Sequence, residues 1–426
     1  MLDDIEINIP GGLGFALPRM ARVRQIFQDH GLPDVAAAVT EQLNAPGNGE
    51  SVKPGATIAV GVGSRGVANI GTAVKALVAG LKARGAEPFI FPAMGSHGGG
   101  TVEGQLGVLK GYGITEDQIG APVRATMDTV IVDTMPDGTP IHMDRYAHEA
   151  DGVVLINRVK PHTNFRGDIE SGVTKMMIIG MGKIAGASAI HGTYPMPDFG
   201  EMLPRIAKTL MPHIPFLFGI GLVEDAFDNT AVVEAMPADQ LFAREAVLQA
   251  RAKALMARLY FTEIDVLIID EIGKEISGSG FDPNVTGRNI RGIAGFELPK
   301  VKKIVLFDVS DATKGNATGI GSADVITRRL FSRIDFPVTY ANIVTSTYLE
   351  GARVPIAMKD EGEAVRLAVK TLNAVAPLDA RIVRIRNTLD LSEIMVSESM
   401  LDEVRADDRL EIIAEAAEMA LQTAAA

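Results

Sequence analysis

Two histidines stand in loop-like stretches that directly follow predicted strands. His97 belongs to GSHGGG at 95–100, and His162 follows a proline in KPH at 160–162. Glycine-rich surroundings offer little packing, so we expect the His97 ring to face a cleft rather than a core. Imidazoles titrate near neutral pH, and two of them at one sheet edge can transfer protons across a small substrate.

A lysine and a third histidine lie sixteen residues apart further along the chain. Lys175 is in a stretch of glycine and apolar residues, SGVTKMMIIGMG at 171–182. Desolvation in such a stretch lowers the pKa of an amine and makes it a nucleophile toward a carbonyl or thioacyl carbon. His191 can ligate a metal through one ring nitrogen. Taken singly, both residues have structural readings, a solvated lysine and a hydrogen-bonded histidine.

A glycine-rich loop, GVGSRG at 61–66, has the spacing of a dinucleotide-binding fingerprint. That fingerprint needs an acidic residue at the end of the next strand, where this sequence has PAMGSH at 92–97, and Glu87 precedes the strand. We therefore interpret Gly63, Ser64 and Arg65 as a cradle for a phosphate or another anion. A nicotinamide-dependent oxidoreductase using this loop is the alternative.

A second glycine-rich segment, GKEISGSGFDPNVTGR at 273–288, opens the C-terminal half. Loops of this composition next to a domain boundary are typical of a lid or a second wall of a site. Lys274 and Arg288 are candidates to clamp a substrate carboxylate. Asp282, Asn284 and Thr286 are further candidate substrate contacts.

Short β-branched runs alternate with helical periodicity, which predicts an α/β fold. Most runs are continuously apolar, as expected of largely parallel sheets covered on both faces. We predict two α/β domains, 1–260 and 261–426, with the active site in the cleft between them. The predicted strands are 56–62, 88–91, 130–133, 152–156, 216–222, 266–270, 303–308, 338–343 and 381–385, and the predicted helices include 69–84, 237–259 and 401–421.

The amino-acid composition excludes several classes of protein and of metal site. The 426 residues include no cysteine, which excludes disulfide frameworks and cysteine-ligated zinc or iron–sulfur sites. The net charge is −12, and without a basic stripe we expect no nucleic-acid partner. The sequence has neither a signal-peptide pattern nor an apolar run near the ~18 residues of a membrane span. We therefore expect a cytoplasmic protein with no membrane partner.

The order of these pieces resembles the nickel-pincer lactate racemase family of 2-hydroxy-acid racemases and epimerases. The resemblance runs from the 63–65 loop through His97 and His162 to Lys175 and His191, and it covers most of the chain. The sixteen-residue interval between Lys175 and His191 is its most specific element.

The resemblance implies an isomerase that inverts C2 of a small 2-hydroxy acid by proton-coupled hydride transfer. Its cofactor would be the Ni(II)-pyridinium-3,5-bisthiocarboxylic acid mononucleotide, made by separate cofactor-biosynthesis enzymes. Gly63, Ser64 and Arg65 would bind this nickel-pincer nucleotide, and Lys175 would carry it covalently. His191 would ligate the nickel, and His97 and His162 would be the acid/base pair.

The sequence departs from the family pattern in three places. The interval from His162 to Lys175 is longer, Thr174 replaces an arginine, and a glutamine and a lysine of the family's second domain have no clear match. We therefore expect a 2-hydroxy acid other than lactate. A non-catalytic cofactor-binding homologue is a further alternative, and a homo-oligomer is left open.

Overall fold

The computed structural model describes residues 8–64 and 66–423. Two compact units emerge from it: a first unit, Asp29–Met256, and a second unit made of the described residues on either side of it. Each unit has its own β-sheet covered by helices, which confirms the predicted α/β class.

Strands and helices alternate along most of the chain, and short 3₁₀ turns join some of them. The strands are β1 (Met20–Gln25), β2 (Thr57–Val62), β3 (Glu87–Pro92), β4 (Thr129–Thr134), β5 (Pro140–Asp144), β6 (Gly152–Arg158), β7 (Phe216–Glu224), β8 (Thr230–Pro237), β9 (Glu263–Ile272), β10 (Lys300–Val309), β11 (Val325–Thr327), β12 (Ile356–Met358), β13 (Ile382–Ile385), β14 (Glu393–Ser397) and β15 (Leu410–Ala417). The helices are α1 (Val35–Asn44), α2 (Ile70–Ala83), α3 (Val102–Gly111), α4 (Glu116–Ile119), α5 (Arg145–His148), α6 (Gly172–Lys175), α7 (Lys183–Thr193), α8 (Phe199–Leu210), α9 (Leu241–Leu255), α10 (Pro283–Thr286), α11 (Arg328–Ser332), α12 (Phe336–Thr345), α13 (Glu361–Lys370) and α14 (Leu401–Ala406).

The first sheet, in the first unit, has the order β3-β2-β6-β7-β8. β3, β2, β6 and β7 are parallel, and β8 returns antiparallel to β7. Helices cover both faces: α2, for example, buries Val74, Leu77 and Leu81 at helical spacing in one core cluster. β4 and β5 form a separate hairpin whose turn contains Pro136 to Gly138.

The second sheet, in the second unit, has the order β12-β11-β10-β9-β13-β14-β1-β15. The strands from β12 to β13 are parallel. β14, β1 and β15 add antiparallel strands at the other side.

Strand β1 lies in the second sheet, although the sequence prediction assigns residues 1–260 to the N-terminal domain. Its neighbours β14 and β15 come from the C-terminal end of the chain. Sequence proximity could not reveal this pairing, because a strand takes its hydrogen-bond partners from wherever an edge is open. The change from first to second unit falls between Met256 and Ala257.

Two predicted elements are wrong. The β-branched run 338–343 is part of helix α12, which begins where the side chain of Asp335 accepts a hydrogen bond from the amide of Val338 at 3.0 Å. The predicted helix 401–421 ends at Ala406, and strand β15 follows because it can pair with β1.

Among the described residues no single helix has the length and apolarity of a membrane span. The two helical segments 172–180 and 183–193 meet these criteria only when taken together, and they meet at an angle of 102°.

Candidate active site

The candidate site is built at the carboxyl ends of the parallel strands of the first sheet. The loops that follow β2, β3 and β6 carry Ser64, His97 and His162, and helix α6 carries Lys175. Open α/β sheets bind their ligands at this edge, because loops from neighbouring strands meet there. Arg65, the charged residue of the first loop, lies outside the described residues.

His97 and Ser64 contact each other directly, since the serine hydroxyl and Nδ1 of the ring are hydrogen-bonded. The glycines beside His97 shape its loop. Gly98 has a φ of +65°, and a side chain on Gly104 of helix α3 would meet the Gly98 carbonyl oxygen. The loop therefore packs backbone against backbone on this helix, and the imidazole remains half-exposed.

His162 and Lys175 lie on the same aromatic ring. The imidazole stacks on Phe165 with a centroid distance of 4.1 Å, and the Lys175 ammonium is 5.5 Å from the centroid of that ring. Nδ1 of His162 accepts a hydrogen bond from the Asn164 amide at 3.1 Å, so the neutral ring carries its proton on Nε2. The Glu170 carboxylate accepts the His162 amide at 2.8 Å and fixes the loop backbone.

His191 contacts Phe199, the second ring of an aromatic pair that Phe199 forms with Phe165. Its ring stacks on Phe199 at 5.0 Å, and Phe199 contacts Phe165 at 5.8 Å. Burial, and secondarily the positive charge of Lys175, lower the pKa of His191 to about 4. At neutral pH the imidazole is therefore uncharged, which is the form that binds a metal.

A break in the helical chain separates Lys175 from His191. After α6 the backbone widens into a π-helical turn, Met176–Gly180, in which the Met181 amide donates to the Met176 carbonyl at 2.8 Å. Helix α7 then starts in a new direction and carries His191 near its end. π-turns of this kind occur often at functional sites.

The His97 loop and the Ser64 loop both touch this broken helix. The Gly95 amide donates to the Gly180 carbonyl at 3.1 Å. A side chain on Gly63 would lie 3.1 Å from the sulfur of Met176, the neighbour of Lys175. Contacts through Phe165 and Phe199 thus link His162, Lys175 and His191. The His97 loop contacts the same broken helix through its backbone, and a joint role for the four residues stays a prediction.

The second-unit candidates are not gathered in this way. Lys274 lies after β9, and its Nζ donates to the Gly278 carbonyl at 2.6 Å. Arg288 binds the Asp324 carboxylate and the carbonyls of Val301 and Lys302 at the start of β10.

Contact of Lys274 or Arg288 with a substrate carboxylate stays a prediction, but the structure places the two side chains toward opposite ends of β10. The Lys274 amide bonds Thr313, beyond the end of β10, and a strand of that length separates the two side chains by on the order of 25 Å.

The other three second-unit candidates belong to helix α10. Asp282 caps it by accepting hydrogen bonds from the amide and side chain of Asn284, both at 2.8 Å. Thr286 is fully buried. These contacts are structural, and a role in substrate binding stays a prediction for Asp282 and Asn284, which are half-buried.

Sequence reasoning missed the residues that join the site together. Phe165 and Phe199 link the His162, Lys175 and His191 side chains, and Glu245 caps helix α6 from a distant helix by accepting the Thr174 amide at 3.0 Å. Of these residues, only Phe165 could have been suspected from the sequence, because it follows the candidate residue His162 by three positions. Across residues 8–64 and 66–423, no group of three or more His, Cys, Asp or Glu side chains is arranged to hold a metal ion.

Comparison with known proteins supports the fold. No family model matches the sequence, and no curated protein matches it. Among solved structures, the lactate racemase apoprotein from Thermoanaerobacterium thermosaccharolyticum is similar, with a TM-score of 0.55 and 15% sequence identity. The alignment covers 87% of this chain and 99% of that chain. The protein thus has a fold similar to that of this lactate racemase, and at this identity the likeness concerns the fold alone.

A protein from Thermotoga maritima is more distantly similar. Its TM-score is 0.45 at 15% identity, with 64% of this chain and 69% of that chain covered.

Proposed function

We propose that the protein is an isomerase that inverts the C2 stereocentre of a small 2-hydroxy acid, using a nickel-pincer nucleotide attached to Lys175. The observation that carries the proposal is the shared aromatic wall: Lys175 and His162 lie on Phe165, and His191 lies on the adjoining Phe199. A fold like that of a lactate racemase supports it.

The residues present fit such a cofactor. Lys175 provides an amine for covalent attachment, and it is linked to His191 through the contacting rings of Phe165 and Phe199. His191 is uncharged at neutral pH and therefore able to ligate nickel. Gly63 allows its backbone to lie close to the side chains of Asn157 and Met176, and Met176 is the neighbour of the lysine. When bound, the cofactor supplies the hydride acceptor, and its sulfur and carbon ligands make protein cysteine unnecessary.

The two imidazoles would move the protons. His97 would take the substrate hydroxyl proton on Nε2, because its Nδ1 is hydrogen-bonded to the Ser64 hydroxyl. His162 holds its proton on Nε2, because Nδ1 accepts from Asn164. It would therefore donate a hydrogen bond from Nε2 to the substrate oxygen when His97 is the proton acceptor. Stacking on Phe165 and the Glu170 contact keep His162 in one orientation.

Peptide mass spectrometry tests the attachment. We expect protein produced together with the cofactor-making enzymes to show a mass increase on the Lys175 peptide, and Lys175→Ala to abolish it. Lys208→Ala is the matched control, because the Lys208 ammonium lies over Phe242 at 5.4 Å in the same unit, a contact like that of Lys175 with Phe165. An unmodified Lys175 under these conditions would remove the proposal.

An assay with protein that carries the cofactor, called loaded protein below, then identifies the substrate class. We expect one or more members of a panel of chiral 2-hydroxy acids to lose optical purity in its presence. The Lys175→Ala protein, prepared in the same way, should leave every member of the panel unchanged.

A further inference from the structure

A second lysine of the broken helix, Lys183, is fully buried. Its ammonium lies 2.9 Å from Oδ2 of Asp144, which is also fully buried. Burial lowers the pKa of Lys183 and raises that of Asp144, while their mutual attraction opposes both shifts. Such a pair contributes little net stability compared with apolar residues of the same size, so stability alone does not account for it.

The ion pair is connected to the loop that carries His97. Lys183 donates to the Pro92 carbonyl at the end of β3 and lies 3.4 Å from Oε1 of Gln105. Gln105 is fully buried, and its Nε2 donates to the carbonyls of Gly95 at 2.9 Å and His97 at 3.2 Å. The glutamine amide thus transmits the position of the buried lysine to the His97 backbone.

The same lysine is located at the break between the two helical segments. Its φ is +54°, a left-handed conformation that is costly for a residue with a Cβ atom. Lys175 precedes the break and His191 follows it, and the segments meet at 102°. The contacts of Lys183 therefore hold the bend and the His97 loop in one arrangement.

We infer that Lys183, Asp144 and Gln105 are positioning residues that fix His97 relative to Lys175 and His191. The inference rests on the proposed function for its catalytic meaning. The network contacts the His97 backbone and acts through it. Proton transfer requires the donor and acceptor heavy atoms to lie within about 3 Å of each other, so a small displacement of this loop would lower the reaction rate.

The test uses protein made without the cofactor and ¹⁵N-labelled in its histidine rings. The His97 signals are assigned by their loss in His97→Asn. We expect Gln105→Met, which keeps the length of the side chain and removes its hydrogen bonds, to shift the Nδ1 signal of His97 toward its position in Ser64→Ala.

Gln25→Met is the matched control. Gln25 is 2% exposed in the second unit, and its Nε2 also donates to two carbonyls, those of Arg258 at 3.1 Å and Leu391 at 2.8 Å. We expect it to leave the His97 signals unchanged. Unchanged His97 signals in folded Gln105→Met, or the same shift in Gln25→Met, would overturn the inference.

A double variant, Lys183→Met with Asp144→Asn, removes both charges and leaves no isolated buried ion. It decides the question if Gln105→Met does not fold: the same displacement of the His97 signal supports the inference, and a wild-type spectrum overturns it. In loaded enzyme we expect Gln105→Met to lower kcat by up to about 100-fold with KM unchanged and Lys175 still modified. Failure of Lys175 modification in the wild type would instead refute the proposed function and leave the NMR result standing.

Discussion

The two sheets of this protein end their parallel strands in loops at one edge, yet they present different chemistry there. In the first sheet the edge carries the imidazoles of His97 and His162 and the amine of Lys175, set against the ring of Phe165. Imidazoles can act as general acids or bases, and an amine can act as a nucleophile.

In the second sheet the same edge carries paired ions. Asp308 binds Arg329 and Arg333, both at 2.8 Å, and Asp270 binds Arg384 at 2.7 Å. A cavity of about 390 Å³ lies among these charges. Each carboxylate already has a cationic partner, so the edge is charged and internally compensated.

The difference shows that the sheet topology determines where loops meet, whereas the side chains on those loops determine which chemistry is possible there. Parallel strands bring loops together in both units, because every such strand ends at the same edge. Within residues 8–64 and 66–423, only the first unit brings histidine, lysine and aromatic side chains into contact at this edge. Changes at the first edge should therefore alter chemistry, and changes in the second unit should alter stability.

The largest effect is expected at the two imidazoles. In loaded protein, His97→Asn and His162→Asn should each lower racemisation about 10²–10⁴-fold, the usual contribution of a general acid or base. Attachment at Lys175 should remain, because neither ring carries the cofactor. Polarimetry and peptide mass measure the two properties separately.

His213→Asn is the control for this pair. His213 is 3.2 Å from Asp133 and well exposed, so its loss should leave the rate unchanged. Loss of cofactor attachment in His97→Asn or His162→Asn would show that these rings bind the cofactor. It would contradict their assignment as acid/base residues distinct from Lys175, the site of attachment.

The next effect concerns pH and the buried Glu245. Its carboxylate accepts hydrogen bonds from helix α6, and burial raises its pKa to about 7. The unfolded value is lower, near 4.5, so the folded state binds the proton more tightly and stability is lost as pH rises from about 4.5 to 7. The loss is roughly 3 kcal/mol at about 1.4 kcal/mol per pH unit.

Glu245→Gln should flatten this part of the stability curve. Denaturant unfolding between pH 4 and 8 measures it. The two proteins should converge at low pH, where both carry a neutral group at residue 245. A constant offset at every pH would mean that the exchange acts through packing alone.

The smallest effect is expected at Arg288 in the second unit. Arg288→Ala leaves Asp324 and two strand carbonyls without their donor, which should cost about 1–3 kcal/mol of unfolding free energy. Cofactor attachment and the KM for a 2-hydroxy acid should not change. A large rise in KM without loss of stability would restore Arg288 as a substrate contact and break the comparison between the units.

Much of the fold was predictable because the signals are local. Continuous apolar runs predicted β2, β3 and β7 to within about two residues, and helical periodicity predicted α2. Elements chosen by long-range pairing were not predictable. The segment 410–417 has a helix-like pattern, and it is a strand because β1 offers a partner.

The sequence by itself determined which reactive groups exist and in what order they follow the strands: His97 after β3, His162 after β6, and Lys175 sixteen residues before His191. The tertiary structure decided which of them meet. Phe199 comes from a different helix than Lys175, and Gln105 reaches His97 from helix α3. Local patterns record the burial of a residue, but the partner across a contact depends on how distant elements pack, and that is set by the folded chain as a whole.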